Sequence, residues 1–495
     1  MTTGPDVTAV IIGAGFGGMG MAIQLQRLGI EDFVILDRAD DLGGTWQANT
    51  YPGVAVDIVS SVYSFSFEPN PYWSRTYAPG SEIVDYARTI ADKYDLKRRM
   101  QFGRSVTSAA YDEDARQWTV RAEGGPPITA TYLIVATGYL SQPRLPDIEG
   151  IESFEGKIIH TSAWDHDHDL EGERIAAIGT GASAVQLLPE IAPAAGHLTV
   201  YQRTPIWVTP KSDHAVPAET QDRYASRPAV QRAVRAKEHL RLEVMLFAGV
   251  LHNKQMPWLA KPATDAALAH LKRQVKDKEL REKLTPSYGF GCKRPTFSNA
   301  YLKMFNRDNV TLETTPIARI TPTGIVTSDG EEREIDTLVL ATGFSLWEQN
   351  FPAFSITGRD GQDLGRTWRE SRFESYEGIT VAGYPNLLLQ PAPYSYTGLS
   401  YFDALEIQMA HVERLFRAMR RQGASGFEPT AGAQEKFVRR MRARVSHSVW
   451  ARSICNGANS YYFNPHGEAT LLRPLTARAG MRAARRFDVS DYQLT

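Results

Sequence analysis

Two glycine-rich turns set the chemistry open to this chain: Gly13-x-Gly15-x-x-Gly18 and Gly179-x-Gly181-x-x-Ala184. Each follows a short apolar run (VTAVII, RIAAI) and opens an apolar helical pattern. In such a turn the first glycine permits the tight bend. The second lets backbone approach a pyrophosphate, and the third position lets helix and strand pack closely. The helix N-terminus then turns N–H groups and a positive dipole end toward phosphate. The residues 24 positions after the two first glycines differ in charge: Asp37 closes FVILD and Arg203 closes LTVYQR. A carboxylate there accepts from ribose hydroxyls, whereas a guanidinium grips a 2′-phosphate through a fork of donors. The second unit therefore reads as an NADPH site and the first as a site for a different dinucleotide. Two such sites in one chain point to electron transfer from NADPH to bound FAD.

A third stretch, FEGKIIHTSAWD, stands just before the second turn and places His160 near His166 and His168. No cysteine joins these histidines, and we read no metal site there. The chain has two cysteines, Cys292 and Cys455. The lack of a CxxC pair argues against a zinc ribbon, a disulfide framework or a dithiol redox centre, and fits a reducing compartment. Cys292 is read as a packing residue. The formal net charge is −1, so no broad field favours DNA, RNA or an acidic membrane. The opening MTTGPDVTAV has no basic region and no unbroken apolar run, from which we expect neither a signal peptide nor a membrane span.

With these residues in hand, the chain resembles the class B flavoprotein monooxygenases, and within them the type I Baeyer–Villiger monooxygenases. The stretch Phe154-x-Gly156-x-x-x-His160-x-x-x-Trp164-Asp165 follows that family's fingerprint. The related N- and S-oxidising flavin monooxygenases usually lack its Trp-Asp ending. A second fingerprint lies in GGTWQANTYPGVAVD, with Gly44, Trp46, Tyr51, Pro52, Gly53 and Asp57 at the family spacing. The resemblance runs over nearly the whole chain. It implies conversion of a ketone to an ester or lactone with O2, FAD and NADPH, through a peroxyflavin whose negative charge an arginine stabilises. By resemblance that arginine is Arg294, in SYGFGCKRPTFSN, with Asp57 lying against it and Lys293 helping to hold the NADPH phosphate. A permanently charged guanidinium suits both the peroxide anion and the oxyanion of its ketone adduct. The FAD set is then Gly13, Gly15, Gly18, Asp37, Gly44, Thr45, Trp46 and Asp57. The NADPH set is Gly179, Thr180, Gly181, Ser183, Gln186, Arg203, Thr204 and Lys293. Phe154, Gly156, His160, Trp164 and Asp165 would couple the two domains. Late in the chain NGANSYYF departs from the family, which often has Ser-Trp where Tyr461 follows Ser460. The rival readings are an N- or S-oxygenating monooxygenase, a disulfide reductase, which would need a redox cysteine pair, and a nucleotide-binding regulator without activity.

The elements that must hold these residues form an α/β fold of two interleaved Rossmann-like domains with a helical insertion. LIVATGY and LVLATGF are apolar strands ending in the same Ala-Thr-Gly turn, and each marks a point where the chain crosses between domains. The expected division is an FAD domain over 1–145 and 343–495, the latter including a C-terminal lid. An NADPH domain spans 150–207 and 288–342, with the helical insertion over 208–287.

Overall fold

The computed structural model describes residues 4–495. The run VTAVII forms strand Val7–Ile12, flanked in parallel by Phe33–Leu36 and Ile128–Val135. Every residue of Phe33–Leu36 is buried, as befits a strand covered on both faces. Across this sheet the order is Ser355–Thr357, Val106–Asp112, Gln117–Ala122, Ile128–Val135, Val7–Ile12, Phe33–Leu36, Met100–Gln101. Strand Ile128–Val135 changes partner along one edge. Its first residues pair antiparallel with Gln117–Ala122, and Leu133 to Val135 pair in parallel with Leu387–Leu389. A strand from late in the chain thus completes the sheet that the first residues begin. The second sheet is parallel throughout, in the order Val310–Glu313, His197–Tyr201, Arg174–Ile178, Thr337–Leu340, Lys157–His160. The fold is α/β, with two interleaved Rossmann-like units.

The glycine turns sit at the C-terminal ends of the central strands. Gly13 has φ +113° and Gly179 has φ +117°, a backbone region closed to most side chains. A Cβ at Gly13 would lie 2.4 Å from the Ala136 carbonyl oxygen, and one at Gly179 would lie 2.3 Å from that of Ala341. Ala136 and Ala341 open the two Ala-Thr-Gly turns. The Ala136 N–H donates to the Ile12 carbonyl at 2.7 Å, and the Ala341 N–H to that of Ile178 at 2.9 Å. Each Ala-Thr-Gly turn is therefore the floor of one glycine turn, which explains why the same tripeptide recurs.

The helices Ala218–Ser226, Pro228–Leu246, Lys261–Gln274 and Lys278–Leu284 form an excursion from the second unit. Its two ends are pinned together by the short parallel strands Val208–Thr209 and Thr296–Phe297. The Trp207 indole N–H donates to the Tyr288 carbonyl at 3.0 Å, and the Tyr288 hydroxyl donates to that of Pro205 at 2.9 Å. Arg294 stands two residues before this closure, so its position is set where the excursion rejoins the body. Among the described residues no helix is long and apolar enough to cross a membrane.

The cysteines correct the sequence reading. Cys292 is bonded to Cys455, with Cα atoms 5.1 Å apart, and is not an unpaired packing residue. The bond ties the turn before Lys293 and Arg294 to a turn 163 residues later. Spacing rules based on CxxC detect only neighbours in sequence, so they are blind to such a pair. With both cysteines bonded, cysteine usage no longer points to a reducing compartment.

Candidate active site

A cavity of about 1860 Å³ runs between the two units. That exceeds the ~300–1,000 Å³ of a pocket for one drug-sized ligand. Its lining includes Gly13, Gly15, Gly179 and Gly181 of both glycine turns, together with Asp37, Arg203 and Arg294. Helices Phe16–Arg27 and Ala182–Ile191 start at these turns with no side-chain cap and no acidic residue in their first turns. Both N-termini therefore keep their N–H groups available for phosphate.

At the centre, Asp57 and Arg294 form a two-point pair. Arg294 Nε donates to Asp57 Oδ2 at 2.6 Å and Nη2 to Oδ1 at 2.9 Å. Burial pushes the Asp57 carboxyl up, but the Arg294 charge and its hydrogen bonds outweigh this and hold it below its ordinary value. Burial works against the Arg294 charge as well, yet the Asp57 anion holds the guanidinium well above its usual value. Both side chains keep part of their surface open, 22% for Arg294 and 30% for Asp57. The result is a fixed, permanently charged donor facing the cavity.

On the first unit, Asp37 Oδ2 accepts from the Ala14 N–H at 2.6 Å and Oδ1 from the Ala39 N–H at 2.9 Å. A carboxylate has about four acceptor positions, so acceptor capacity remains for ribose hydroxyls. Gly44, Thr45 and Trp46 line the cavity, and the Trp46 indole N–H donates to the Tyr63 hydroxyl at 3.0 Å. Gly18 lies beneath the turn, on the inner side of its helix. These groups fit a dinucleotide such as FAD.

On the second unit, Thr180, Ser183, Gln186, Arg203, Thr204 and Lys293 all line the cavity. The Thr180 hydroxyl donates to the Thr204 carbonyl at 2.8 Å, which closes the strand end over the turn. Burial, and then the nearby Arg203 charge, hold the Lys293 amine below its ordinary value. Among the described residues, neither cation has a carboxylate within ion-pair distance. With its amide oxygen turned toward Arg203, Asn459 accepts from Nε and Nη2 at 3.1 Å each. Two neighbouring cations with no carboxylate suit a phosphate, so the residues present fit NADPH. Gln186 uses its amide differently. It accepts from the Tyr51 hydroxyl at 3.0 Å and donates to the Ala55 carbonyl at 2.9 Å, which ties the second helix to the segment leading to Asp57.

The long fingerprint lies to one side. His160 ends strand Lys157–His160, and its Nδ1 accepts from the Ser162 N–H at 3.2 Å. Burial lowers its pKa, which keeps the ring neutral. Phe154 packs under the second sheet, where Gly156 turns beside Asp336, and Trp164 packs on the other core of this unit. Asp165 pairs with Lys157 near the surface. His166 reaches Thr50 at 2.9 Å, and His168 reaches Thr337 at 2.8 Å. Of this group only Ser162, between the motif positions, reaches the cavity.

The structure adds residues that sequence reasoning does not single out. Tyr139, Tyr396 and Tyr401 line the cavity, as do Leu399 and Trp450, beside Tyr461, which the sequence marks as a departure from the family. Burial raises the pKa of Tyr139 and of Tyr461 well above the ordinary value, so both phenols stay neutral donors. The stretch PAPYSYTG holds two tyrosines, Tyr394 and Tyr396, and nothing local shows which one faces the site.

Comparison with known proteins fits this geometry. Residues 10–239 match a family profile described as pyridine nucleotide-disulphide oxidoreductase. A Baeyer–Villiger monooxygenase of Pseudomonas aeruginosa is 38% identical over 489 residues, covering 98% of this chain and 91% of its own length. A crystal structure of OTEMO in complex with FAD and NADP superposes with a TM-score of 0.87 at 27% identity, covering 100% of both chains. A closed crystal structure of cyclohexanone monooxygenase gives 0.86 at 28%, again covering 100% of both. The chain belongs to the Baeyer–Villiger monooxygenase family.

Proposed function

We propose that this protein is an FAD- and NADPH-dependent Baeyer–Villiger monooxygenase in which Arg294 and Asp57 form the reaction centre. It places one oxygen atom of O2 between a ketone carbonyl carbon and its neighbour, giving an ester or lactone. The other oxygen atom leaves as water, and one NADPH and one proton are consumed. The observation that carries the reading is the two-point Arg294–Asp57 pair in a cavity lined by both glycine turns. When bound, FAD supplies hydride acceptance from NADPH and the reaction of its reduced form with O2.

The chain's own residues do the rest. Arg294 faces negative charge as it develops at the carbonyl oxygen, and Asp57 anchors the Nε–Nη2 edge of the guanidinium. Arg203 and Lys293 hold the 2′-phosphate of NADPH, and the helix beginning at Ala182 receives its pyrophosphate. Asp37 accepts from the ribose hydroxyls of FAD, and the helix beginning at Phe16 receives its pyrophosphate. The FAD domain is assigned to 1–145 and 343–495, the NADPH domain to 150–207 and 288–342, and the helical insertion to 208–287. His160 and its fingerprint neighbours are assigned to the coupling of these domains, and the His166–Thr50 contact supports that role. A cytoplasmic location goes with the supply of NADPH.

The test is a panel of cyclic, linear, aryl and steroid ketones, with product mass and NADPH consumption measured together. At least one ketone should gain a single oxygen atom, with ester formed in proportion to NADPH oxidised. NADPH oxidation that is insensitive to every ketone, with only an amine or a sulfide oxygenated, would reassign the reaction.

A further inference from the structure

The hydrogen bonds of Arg294 define how much of it is left for a reacting oxygen. A guanidinium has five N–H donors. Asp57 takes two of them, from Nε and Nη2. A third, from Nη1, donates to the Tyr396 hydroxyl at 3.1 Å. One N–H on Nη1 and one on Nη2 remain. The Tyr396 hydroxyl is itself oriented, because it donates its proton to the Leu399 carbonyl at 3.1 Å. A lone pair is thereby aimed at Arg294.

Tyr396 is held on every side. Only 5% of its surface is exposed. Its N–H donates to the Leu471 carbonyl at 3.4 Å, and its carbonyl accepts from the Arg473 N–H at 2.7 Å. Its ring meets that of Tyr139 at 5.3 Å, and Tyr139 meets Tyr401 edge-on at 5.6 Å. A side chain so fixed can fix what it touches.

We propose that Tyr396 is a positioning residue. It takes the third N–H of Arg294 and so leaves a two-donor edge for the carbonyl oxygen that becomes anionic. The inference rests on the assignment of Arg294 to the reaction centre. Asp57 alone resists rotation about the Cδ–Nε bond, and Tyr396 adds a second anchor on the opposite side of the group. With both, the remaining donors keep one direction while charge develops, which is what preorganisation requires.

Tyr396→Phe tests this, because it keeps the ring and its packing and removes only the hydroxyl. FAD content and the KM for NADPH should be unchanged, the melting temperature should fall modestly because the Leu399 carbonyl loses its donor, and the ketone KM should stay within about twofold. The kcat for ester should fall roughly tenfold, the effect of losing one hydrogen bond to a charged group. The share of NADPH oxidised without ester, appearing as hydrogen peroxide, should rise. A crystal structure of the variant should show Arg294 still paired to Asp57 but with the guanidinium plane tilted about that bonded edge, carrying Nη1 from its wild-type position. In the Arg294→Ala background, Tyr396→Phe should have almost no further effect, since it acts only through Arg294. Wild-type kcat and coupling in Tyr396→Phe would overturn the proposal, provided that Arg294→Ala lowers ester formation by about 10²–10³. So would an undisturbed Arg294 in the crystal, or independent effects in the double variant. Should Arg294→Ala itself make ester at the wild-type rate, the assignment of the reaction centre falls first and takes the Tyr396 proposal with it.

Discussion

A guanidinium clamped by a carboxylate at 2.6 and 2.9 Å does not titrate in any range where a protein stays folded. Its effect on catalysis should therefore depend on shape and charge, not on pH. Arg294→Ala should bind FAD normally, because Asp37 and the first glycine turn, which we propose hold that nucleotide, lie in another segment. Ester formation should drop by about 10²–10³, the usual cost of removing one preorganised donor from developing negative charge. Arg294→Lys should recover little, since a point charge cannot hold Asp57 at two points and still present two donors. Product yield and stopped-flow oxidation of the reduced enzyme measure this, and near-normal yield from Arg294→Ala would remove the residue from the mechanism. Arg203 makes a separate prediction about coenzyme choice. Its Ala variant should raise the NADPH KM by roughly 10- to 100-fold, the equivalent of one charge-assisted phosphate contact. The NADH value should hold steady, and equal changes for both coenzymes would detach Arg203 from the 2′-phosphate.

Helix Tyr401–Gln422 shows how an element is secured by side chains remote from the cavity. Its His411 is 1% exposed, stacks on Phe487 at 4.0 Å and shares a hydrogen bond with the Tyr492 hydroxyl at 2.8 Å. It thus joins the helix to the C-terminal strand Tyr492–Leu494. Burial pulls the His411 pKa down to about 3, the Glu377 carboxylate opposes this, and Arg473 adds to it. The unfolded chain takes up this proton near pH 6.5 and the folded chain does not, so folding stability should decline as pH falls below 6.5. The slope for one such group is about 1.4 kcal/mol per pH unit. His160 and His270 are shifted in the same direction. His239 is raised by Asp403, so its contribution is complete below 6.5 and is lost only at higher pH. Denaturant titrations of wild type and His411→Gln at pH 7, 6 and 5 should show a shallower decline in the variant. Equal slopes would mean that His411 is protonated in the folded state. How much of this was legible in the sequence depends on distance along the chain. The glycine turns and their partners at 24 positions are local patterns, and so are the two fingerprints. The cysteine pair spans 163 residues, and the Arg294–Tyr396 contact spans 102. Such contacts exist only once the excursion has closed and the late strand Leu387–Leu389 has joined the first sheet. Gln186 is a subtler case: its type and place are readable, but the segment that uses its amide lies in the other unit.

At the scale of the molecule, the two nucleotide units must keep one relative placement for hydride to pass between their ligands, and Gln186 stands where that placement can be fixed. It projects from helix Ala182–Ile191, which opens at the second glycine turn. Its amide accepts from the Tyr51 hydroxyl at 3.0 Å and donates to the Ala55 carbonyl at 2.9 Å, with a longer contact from the Ala55 N–H at 3.5 Å. Two residues beyond Ala55 is Asp57, which holds Arg294, and Arg294 enters from the far end of the helical excursion. One amide therefore links the second nucleotide unit to the segment of the first that orients Arg294, the proposed reaction centre. Gln186→Met keeps the length and removes the hydrogen bonds. The Tyr51 hydroxyl and Ala55 carbonyl lose their partner, which should cost about 1–3 kcal/mol of stability. The larger effect should be kinetic, since displacement of reacting groups by even 1 Å can slow a reaction by up to about 100-fold. The measurement is anaerobic reduction of bound FAD by saturating NADPH, followed by the loss of flavin absorbance. The limiting rate should fall in Gln186→Met, whereas in Arg203→Ala the concentration needed for half-saturation should rise and the limiting rate should hold. That contrast separates placement of the units from grip on the phosphate. An unchanged limiting rate in Gln186→Met would show that the two units are aligned by other contacts, with His166 and Thr50 the next pair to remove.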